Sequence, residues 1–258
     1  MKLLFLGTGT AGSKRKYEHE IEAHRRRCSS LLLDENVLVD TPKQSFDYAT
    51  KLGVDTSLIT DVFLSHLHSD HYNKEAFLNW VNAAKGKINL WCGKRIAQGL
   101  ELSEEELEKV NLCPIEEMDE FDVAGMHVVA LPANHAGVHA LHYVFEKDGK
   151  RLYYGLDGAW FTPLEWRYIH GSGLAFDAMI IDSTNLSHDP IKYGNYGEHN
   201  NYLLLPVVVQ TLQGSGVAGE NTKLIAGHIG PHMNDVKAIE YIKSLGMIPA
   251  YDGLVLEI

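Results

Sequence analysis

Cysteine is scarce in this 258-residue chain, and what there is does not pair. Cys28, Cys92 and Cys113 are odd in number, widely spaced and form no Cys-x-x-Cys. That argues against a disulfide framework and for a reducing, cytoplasmic setting. Long apolar runs are also missing. No stretch is long enough to span a bilayer, and the opening Met1-Lys2-Leu3-Leu4-Phe5-Leu6-Gly7 is too short for a signal peptide. No membrane partner is expected. Positive charge is in short supply as well. Against 34 Asp and Glu there are 23 Lys and Arg, a formal net charge of −11, which counts against a protein that mainly grips a nucleic-acid backbone. The exception is Lys14-Arg15-Lys16 with Arg25-Arg26-Arg27, in a polar loop over 11–28 that either attracts a phosphate or is simply solvated. No Pro/Gly/Ser-rich linker or composition break divides the chain, so residues 1–258 are read as one domain.

What the chain does have is a dense cluster of metal-ligating side chains. Leu64-Ser65-His66-Leu67-His68-Ser69-Asp70-His71-Tyr72 puts three histidines and an aspartate within six positions. The preceding Asp61-Val62-Phe63-Leu64 reads as a buried strand. After the cluster, Asn73 is a good N-cap, and Ala76, Phe77, Trp80 and Val81 follow at helical spacing. The cluster therefore lies where a strand hands over to a helix and the backbone leaves the core. His66 and His68, two apart on extended backbone, point the same way, and Asp70 and His71 turn back across the loop. Imidazole with carboxylate suits zinc, manganese or iron, and the ligand density suggests two metals.

Around this cluster the pattern predicts a strand over 2–6 and a tight turn at Gly7-Thr8-Gly9-Thr10. That turn is not a dinucleotide fingerprint, because the third glycine and the following helix are missing. It reads as a place where backbone passes close to the site. A hairpin comes next, over 30–33 and 37–40 around Asp34-Glu35-Asn36, then a helix from Pro42 to Gly53. Further strands are predicted over 87–91, 126–131, 141–146, 151–155, 177–181, 223–226 and 255–258, with a capping box at Ser103-Glu104-Glu105-Glu106. Two more helices are predicted, over 202–212 and from an Asn234 cap to Gly246. His135, Asp157 and His228 each fall just past a predicted strand end. His139 and His142 read as wall or core residues. Asp182 either supports the site or caps the segment after it.

The signature His66-x-His68-x-Asp70-His71 resembles that of the metallo-β-lactamase superfamily. The resemblance implies an α/β fold, an αββα sandwich of two mixed sheets flanked by helices, with a dinuclear metal site along one edge. It also implies the ligand order. His66, His68 and His135 would hold one divalent ion, zinc or manganese, and Asp70, His71 and His228 the other, with Asp157 bridging. Asp40 would order the metal-binding loop. All seven ligands occur in that order, from His66 to His228.

Within the superfamily the layout looks most like the phosphonate-pathway cyclic phosphodiesterases, in length, Gly-Thr-Gly opening and a histidine at the position of His199. In that group such a histidine takes part in the reaction, so Asp70 and His199 are the catalytic candidates. One departure is clear. Members of the group can carry an N-terminal cysteine cluster for a structural zinc, whereas this loop has only Cys28, so no such zinc is expected. The flavin-linked oxidases of the superfamily carry glutamate where this chain has His68. The tRNA-processing nucleases usually carry a Gly/Pro-rich arm not found here. The expected function is hydrolysis of a small or cyclic phosphate ester. The alternatives are a lactone or thioester hydrolase of the same fold and a metal-binding protein without turnover. A homodimer is compatible with the sequence.

Overall fold

The structure is a computed structural model and describes residues 1–11, 26–135, 137–186, 198–231 and 235–258. In the first part of the chain β1 (Lys2–Gly7), β2 (Ser30–Leu33) and β3 (Val37–Val39) precede helix α1 (Ser45–Lys51). Next come β4 (Asp61–Leu64), α2 (Lys74–Ala83), β5 (Ile88–Gly93), the short helices α3 (Lys94–Gln98) and α4 (Glu104–Leu107), and β6 (Val110–Ile115). The second part starts with β7 (Glu120–Val123), β8 (Met126–Pro132), β9 (Leu141–Lys147) and β10 (Lys150–Gly155). It continues with α5 (Pro163–Gly171), β11 (Ala178–Asp182), α6 (Leu204–Gly214), β12 (Lys223–Gly227), α7 (Asp235–Ser244), β13 (Ile248–Pro249) and β14 (Val255–Glu257).

These strands form two seven-stranded sheets, ordered β14-β1-β2-β3-β4-β5-β6 and β13-β12-β11-β10-β9-β8-β7. Each mixes parallel and antiparallel pairs. Successive strand residues point to opposite faces, and both faces of both sheets are apolar. Leu31, Leu33, Val37, Val39 and Phe63 face Val128, Ala130, Tyr143, Phe145 and Ile180 between the sheets. The alternate residues Leu32, Leu38, Val62 and Leu64 pack outward with Ala49, Phe77 and Trp80 of α1 and α2. Val129, Leu131, Met179 and Ile181 likewise pack outward with Ile169, Leu205, Val208 and Ile242 of α5, α6 and α7. This doubled alternation is why the chain stacks as helix, sheet, sheet, helix, the αββα sandwich of the metallo-β-lactamase type. No helix of the described residues is long and apolar enough to cross a membrane.

The expected strands and helices are present, with ends shifted by a few residues. Asn73 accepts the Ala76 N–H at 3.0 Å and caps α2, and Ser103 and Glu106 form the expected capping box. Asn234, His232 and most of the basic loop lie outside the described residues. Strands β6, β7 and β13 and helix α5 were not anticipated. The register delivers the C-terminal ends of β10, β11 and β12, which run parallel, to one edge. Strand β8 ends there too, because it is antiparallel to β9, and β9 to β10.

Candidate metal centre

The candidate ligands, and the Asp40 carboxylate that orders their loop, sit where strands stop and the chain turns. Asp40 follows β3, His66 follows β4, His135 follows β8, Asp157 follows β10 and His228 follows β12. Three of these, Asp40 (φ +61°), Asp157 (φ +55°) and His228 (φ +51°), occupy the left-handed region without being glycine. Aspartate and histidine are among the non-glycine residues that enter this region most readily, and here it turns the chain sharply at the strand ends. The opening turn contributes as anticipated. A Cβ on Gly7 would lie 1.8 Å from the Cys28 carbonyl oxygen, so only glycine admits that close crossing. Beyond it the Ala11 N–H donates to Asp70 Oδ2 at 2.8 Å.

The side chains from His66 to His71 are oriented by a buried network on Asp40. Its Oδ1 accepts the Ser65 N–H at 2.8 Å, and its Oδ2 accepts from His71 Nδ1 at 2.7 Å and from the Tyr154 hydroxyl at 3.1 Å. The Ser65 hydroxyl also donates to Asp40 (2.9 Å), which leaves Ser65 Oγ to accept from His66 Nδ1 at 3.0 Å. Elsewhere His135 Nδ1 donates to the Glu198 carbonyl at 3.2 Å, and His228 Nδ1 lies 2.7 Å from Thr184 Oγ1. Assigned from these partners, the four buried imidazoles carry their proton on Nδ1 and turn the Nε2 lone pair inward.

The inward atoms converge. His71 Nε2 and His228 Nε2 are 3.2 Å apart, as are His135 Nε2 and His68 Nδ1. His228 Nε2 is 3.3 Å from Asp70 Oδ2. Asp157 Oδ2 lies 3.4 Å from His66 Nε2 and also against His71 Nε2. Ligand atoms within 4.8 Å of one another form the sets His66/His68/His135, Asp70/His71/His228 and His66/His71/Asp157. A fourth set comprises Asp157, Asp182, His199 and His228. The structure therefore brings all seven sequence-predicted ligands together and places Asp157 across the two trios. His66 Nε2 and Asp157 Oδ2 are buried yet make no hydrogen bond. Opposed lone pairs and orphaned buried polar atoms are costly without a positive charge among them. The donor set therefore fits divalent metal ions.

The electrostatics agree. Burial holds the His66 and His135 imidazoles below their ordinary value, as neutral ligands require. At His71 burial is outweighed by the carboxylates of Asp157 and Asp40, and its value rises well above the usual one. His228 is pushed up to about 10 against burial, chiefly by Asp157 and Asp182. The Asp157 carboxyl is buried too, but His228 and His71 hold it well below the usual range.

Asp182 answers one question the sequence left open. Its Oδ2 accepts from His199 Nδ1 at 3.0 Å and from the Asp157 N–H at 3.2 Å, while Oδ1 accepts the Thr184 and Asn200 N–H groups. It thus supports the site and closes the local turn. Against burial, Asp182 raises the His199 imidazole above its ordinary value. The His199 ring stands 5.2 Å from that of His135 and 5.5 Å from that of His228. Sequence reading missed Ser65, Tyr154 and Thr184, which carry no motif of their own. His142 is buried as expected, and His139 lies 3.7 Å from Glu117. The described end of the basic loop turns inward. Arg27 pairs with Asp252 at 3.1 Å with its guanidinium 3.5 Å above the Tyr48 ring, and Arg26 donates to Thr8 and to the Ala250 carbonyl.

A fold and a site of this kind define the metallo-β-lactamase type of hydrolase. The family model described as the β-lactamase superfamily domain matches residues 16–248. The chain belongs to that superfamily. Among solved structures it is similar to the metallo-β-lactamase fold protein YhfI from Bacillus subtilis, with TM-score 0.75 and 15% identity over 100% of this chain and 99% of that one. A diphosphatase of the PhnP family gives TM-score 0.77 and 18% identity over 100% and 96%. Zn(2+)-bound PqqB from Methylobacterium extorquens gives 0.73 and 17% over 100% of both chains. At these identities the likeness is one of fold. No curated protein matches the sequence.

Proposed function

We propose that this chain is a metal-dependent phosphodiesterase acting on small or cyclic phosphate esters. The observation that carries the reading is the convergence of two ligand trios on the shared carboxylate of Asp157, with His199 held beside both. His66, His68 and His135 would hold one cation and Asp70, His71 and His228 the other, with the Asp157 carboxylate available to both. Zinc and manganese both suit these donors, and the zinc-bound PqqB structure favours zinc. Bound divalent cations supply Lewis acidity that lowers the pKa of water and stabilises charge on a phosphoryl oxygen.

The rest is the work of side chains. Asp70, fixed by the Ala11 N–H and lying near His228, orients the attacking water. His199 gives its Nδ1 proton to a hydrogen bond with Asp182, which leaves Nε2 to protonate the departing ester oxygen. The Asp182 carboxylate raises the His199 imidazole above its ordinary value, which favours the proton-donating form. The PhnP-family diphosphatase among the structural relatives supports a phosphate ester over other substrates. The acidic chain and the inward-turned Arg26 and Arg27 count against a nucleic-acid partner. The reading places the protein in the cytoplasm, in keeping with its unpaired cysteines.

The test is hydrolysis of bis(p-nitrophenyl) phosphate by metal-stripped protein, with zinc and then manganese added back. Turnover restored by either metal is the expected result. Two metals bound per chain with no phosphodiester turnover would refute it and direct the search to lactones and thioesters. Absence of turnover on those as well would leave a non-catalytic metal-binding protein.

A further inference from the structure

Beneath the Asp157 turn lies a buried ionic group that the reaction proposed above does not use. His142 on β9, Tyr153 on β10 and Glu165 in α5 are 3%, 1% and 0% exposed. His142 Nε2 is 3.0 Å from the Leu156 carbonyl oxygen, which can only accept, so this nitrogen carries a proton. His142 Nδ1 is 2.5 Å from Glu165 Oε1, where a lone pair would face a carboxylate, so it is protonated too. The ring is therefore an imidazolium paired with Glu165. The Tyr153 hydroxyl donates to the same oxygen at 2.7 Å, and Glu165 Oε2 accepts the Thr162 N–H that opens α5. Every polar atom of the group is engaged, as a buried ion pair requires.

The imidazolium grips both neighbours of Asp157. On one side it holds the Leu156 carbonyl. On the other it fills the space a side chain would take at position 158, since a Cβ on Gly158 would lie 2.5 Å from His142 Cε1. Gly158 has no positive φ, so its backbone does not call for glycine; the ring does. Tyr153 packs in the same way under Gly155, where a Cβ would meet its ring at 2.2 Å. Between these clamped residues Asp157 holds a left-handed backbone, φ +55°, which aspartate tolerates better than most residues but at a cost above glycine.

We propose that His142, anchored by Glu165 and Tyr153, is a positioning residue that locks the Leu156–Gly158 turn so that Asp157 lies across both ligand trios. The inference rests on the metal site proposed above. Groups that orient metal ligands cost 10–100-fold in affinity when lost.

The test is zinc affinity by competition with a chromophoric chelator, together with metal per chain by mass spectrometry. His142→Ala should weaken zinc binding about 10–100-fold, whereas Val209→Ala, a destabilising change on α6 where it packs on the outer face of the second sheet, should leave it unchanged. Gly158→Ala should weaken binding too, because its methyl meets the ring. The double variant His142→Ala/Gly158→Ala should bind more tightly than Gly158→Ala alone, since each change relieves the other. Independent effects would instead make the double variant the weakest. If His142→Ala does not fold, the Gly158 comparison uses His142→Asn in its place. His142→Ala binding within twofold of wild type, or a double variant weaker than both singles, overturns the inference while leaving the metal site intact. Wild-type protein that binds neither zinc nor manganese overturns both.

Discussion

Replacing Asp40 with asparagine should weaken metal binding through the tautomer of a histidine it never lets go. Asp40 is fully buried, and asparagine matches its shape and tolerates its left-handed φ of +61°. Neither a cavity nor backbone strain is introduced, and the change is one acceptor turned donor. The Ser65 N–H, fixed in the backbone at 2.8 Å, requires the amide oxygen at the Oδ1 position. The amide NH2 must then take the place of Oδ2 and face His71 Nδ1, now 2.7 Å away. His71 can answer only by accepting at Nδ1, which moves its proton to Nε2, the atom turned to His228 and Asp157. A protonated Nε2 cannot ligate. The expected cost is about 10–100-fold in zinc affinity, or about 1.4–2.7 kcal/mol. Loss of a charge-assisted hydrogen bond lowers the stability of the metal-free protein by about 1–3 kcal/mol. Chelator competition at fixed pH reads the first quantity and denaturant melts of metal-stripped protein the second. Asp40→Asn that binds zinc within twofold of wild type would refute the tautomer reasoning, whatever the melt shows. Asp40→Ala should cost more stability, because alanine gains no help in the left-handed region, a penalty of about 1–2 kcal/mol.

Asp157→Ala should lose metal and phosphodiester turnover together, whereas His199→Ala should retain metal and lose rate by about 10²–10⁴; metal content and kcat measured on the same samples separate the two, and unchanged turnover in His199→Ala would remove it from the reaction. Burial pushes the Cys28 thiol up to about 11 and the Cys92 thiol up to about 12. Ellman's reagent at pH 7.5 should therefore find at most one fast thiol in native protein and all three after guanidinium, since only the thiolate reacts; two fast native thiols would contradict this. Gly7→Ala places a methyl carbon 1.8 Å from the Cys28 carbonyl oxygen, a backbone atom that cannot swing away. It should cost about 3 kcal/mol in urea melts, and a loss below about 0.5 kcal/mol would show that the crossing strand yields.

The candidate ligands were legible because their chemistry is written locally. Four ligands in six positions after a strand identify the turn, and the remaining three announce themselves by standing just past strand ends. Strands such as Ser30–Leu33 and Met126–Pro132 are apolar on both faces and could be found without knowing their neighbours. Helix α5 was missed, although Thr162-Pro163-Leu164-Glu165 is a capping box with proline at the first helical position, and that signal was available. Strands β6 and β7 are different. Val110–Ile115 contains a proline and buries only its two end residues, and Glu120–Val123 is polar at alternate positions. Each stands at a sheet edge, where one neighbour suffices and the pattern weakens.

Sequence alone thus located the candidate metal-binding turn and most of the strands, since ligand type and periodicity are properties of short stretches, while the layered fold and the order of the candidate ligands came from the family signature. Tertiary structure decided who supports whom. Asp182 reaches His199 across 17 residues, Asp40 reaches His71 across 31 and Tyr154 across 114, and Glu165 reaches His142 across 23. Nothing in the intervening residues encodes these distances. They arise from sheet register, which brings the ends of separated strands to one edge, and a buried carboxylate can settle only where that register leaves it enough donors.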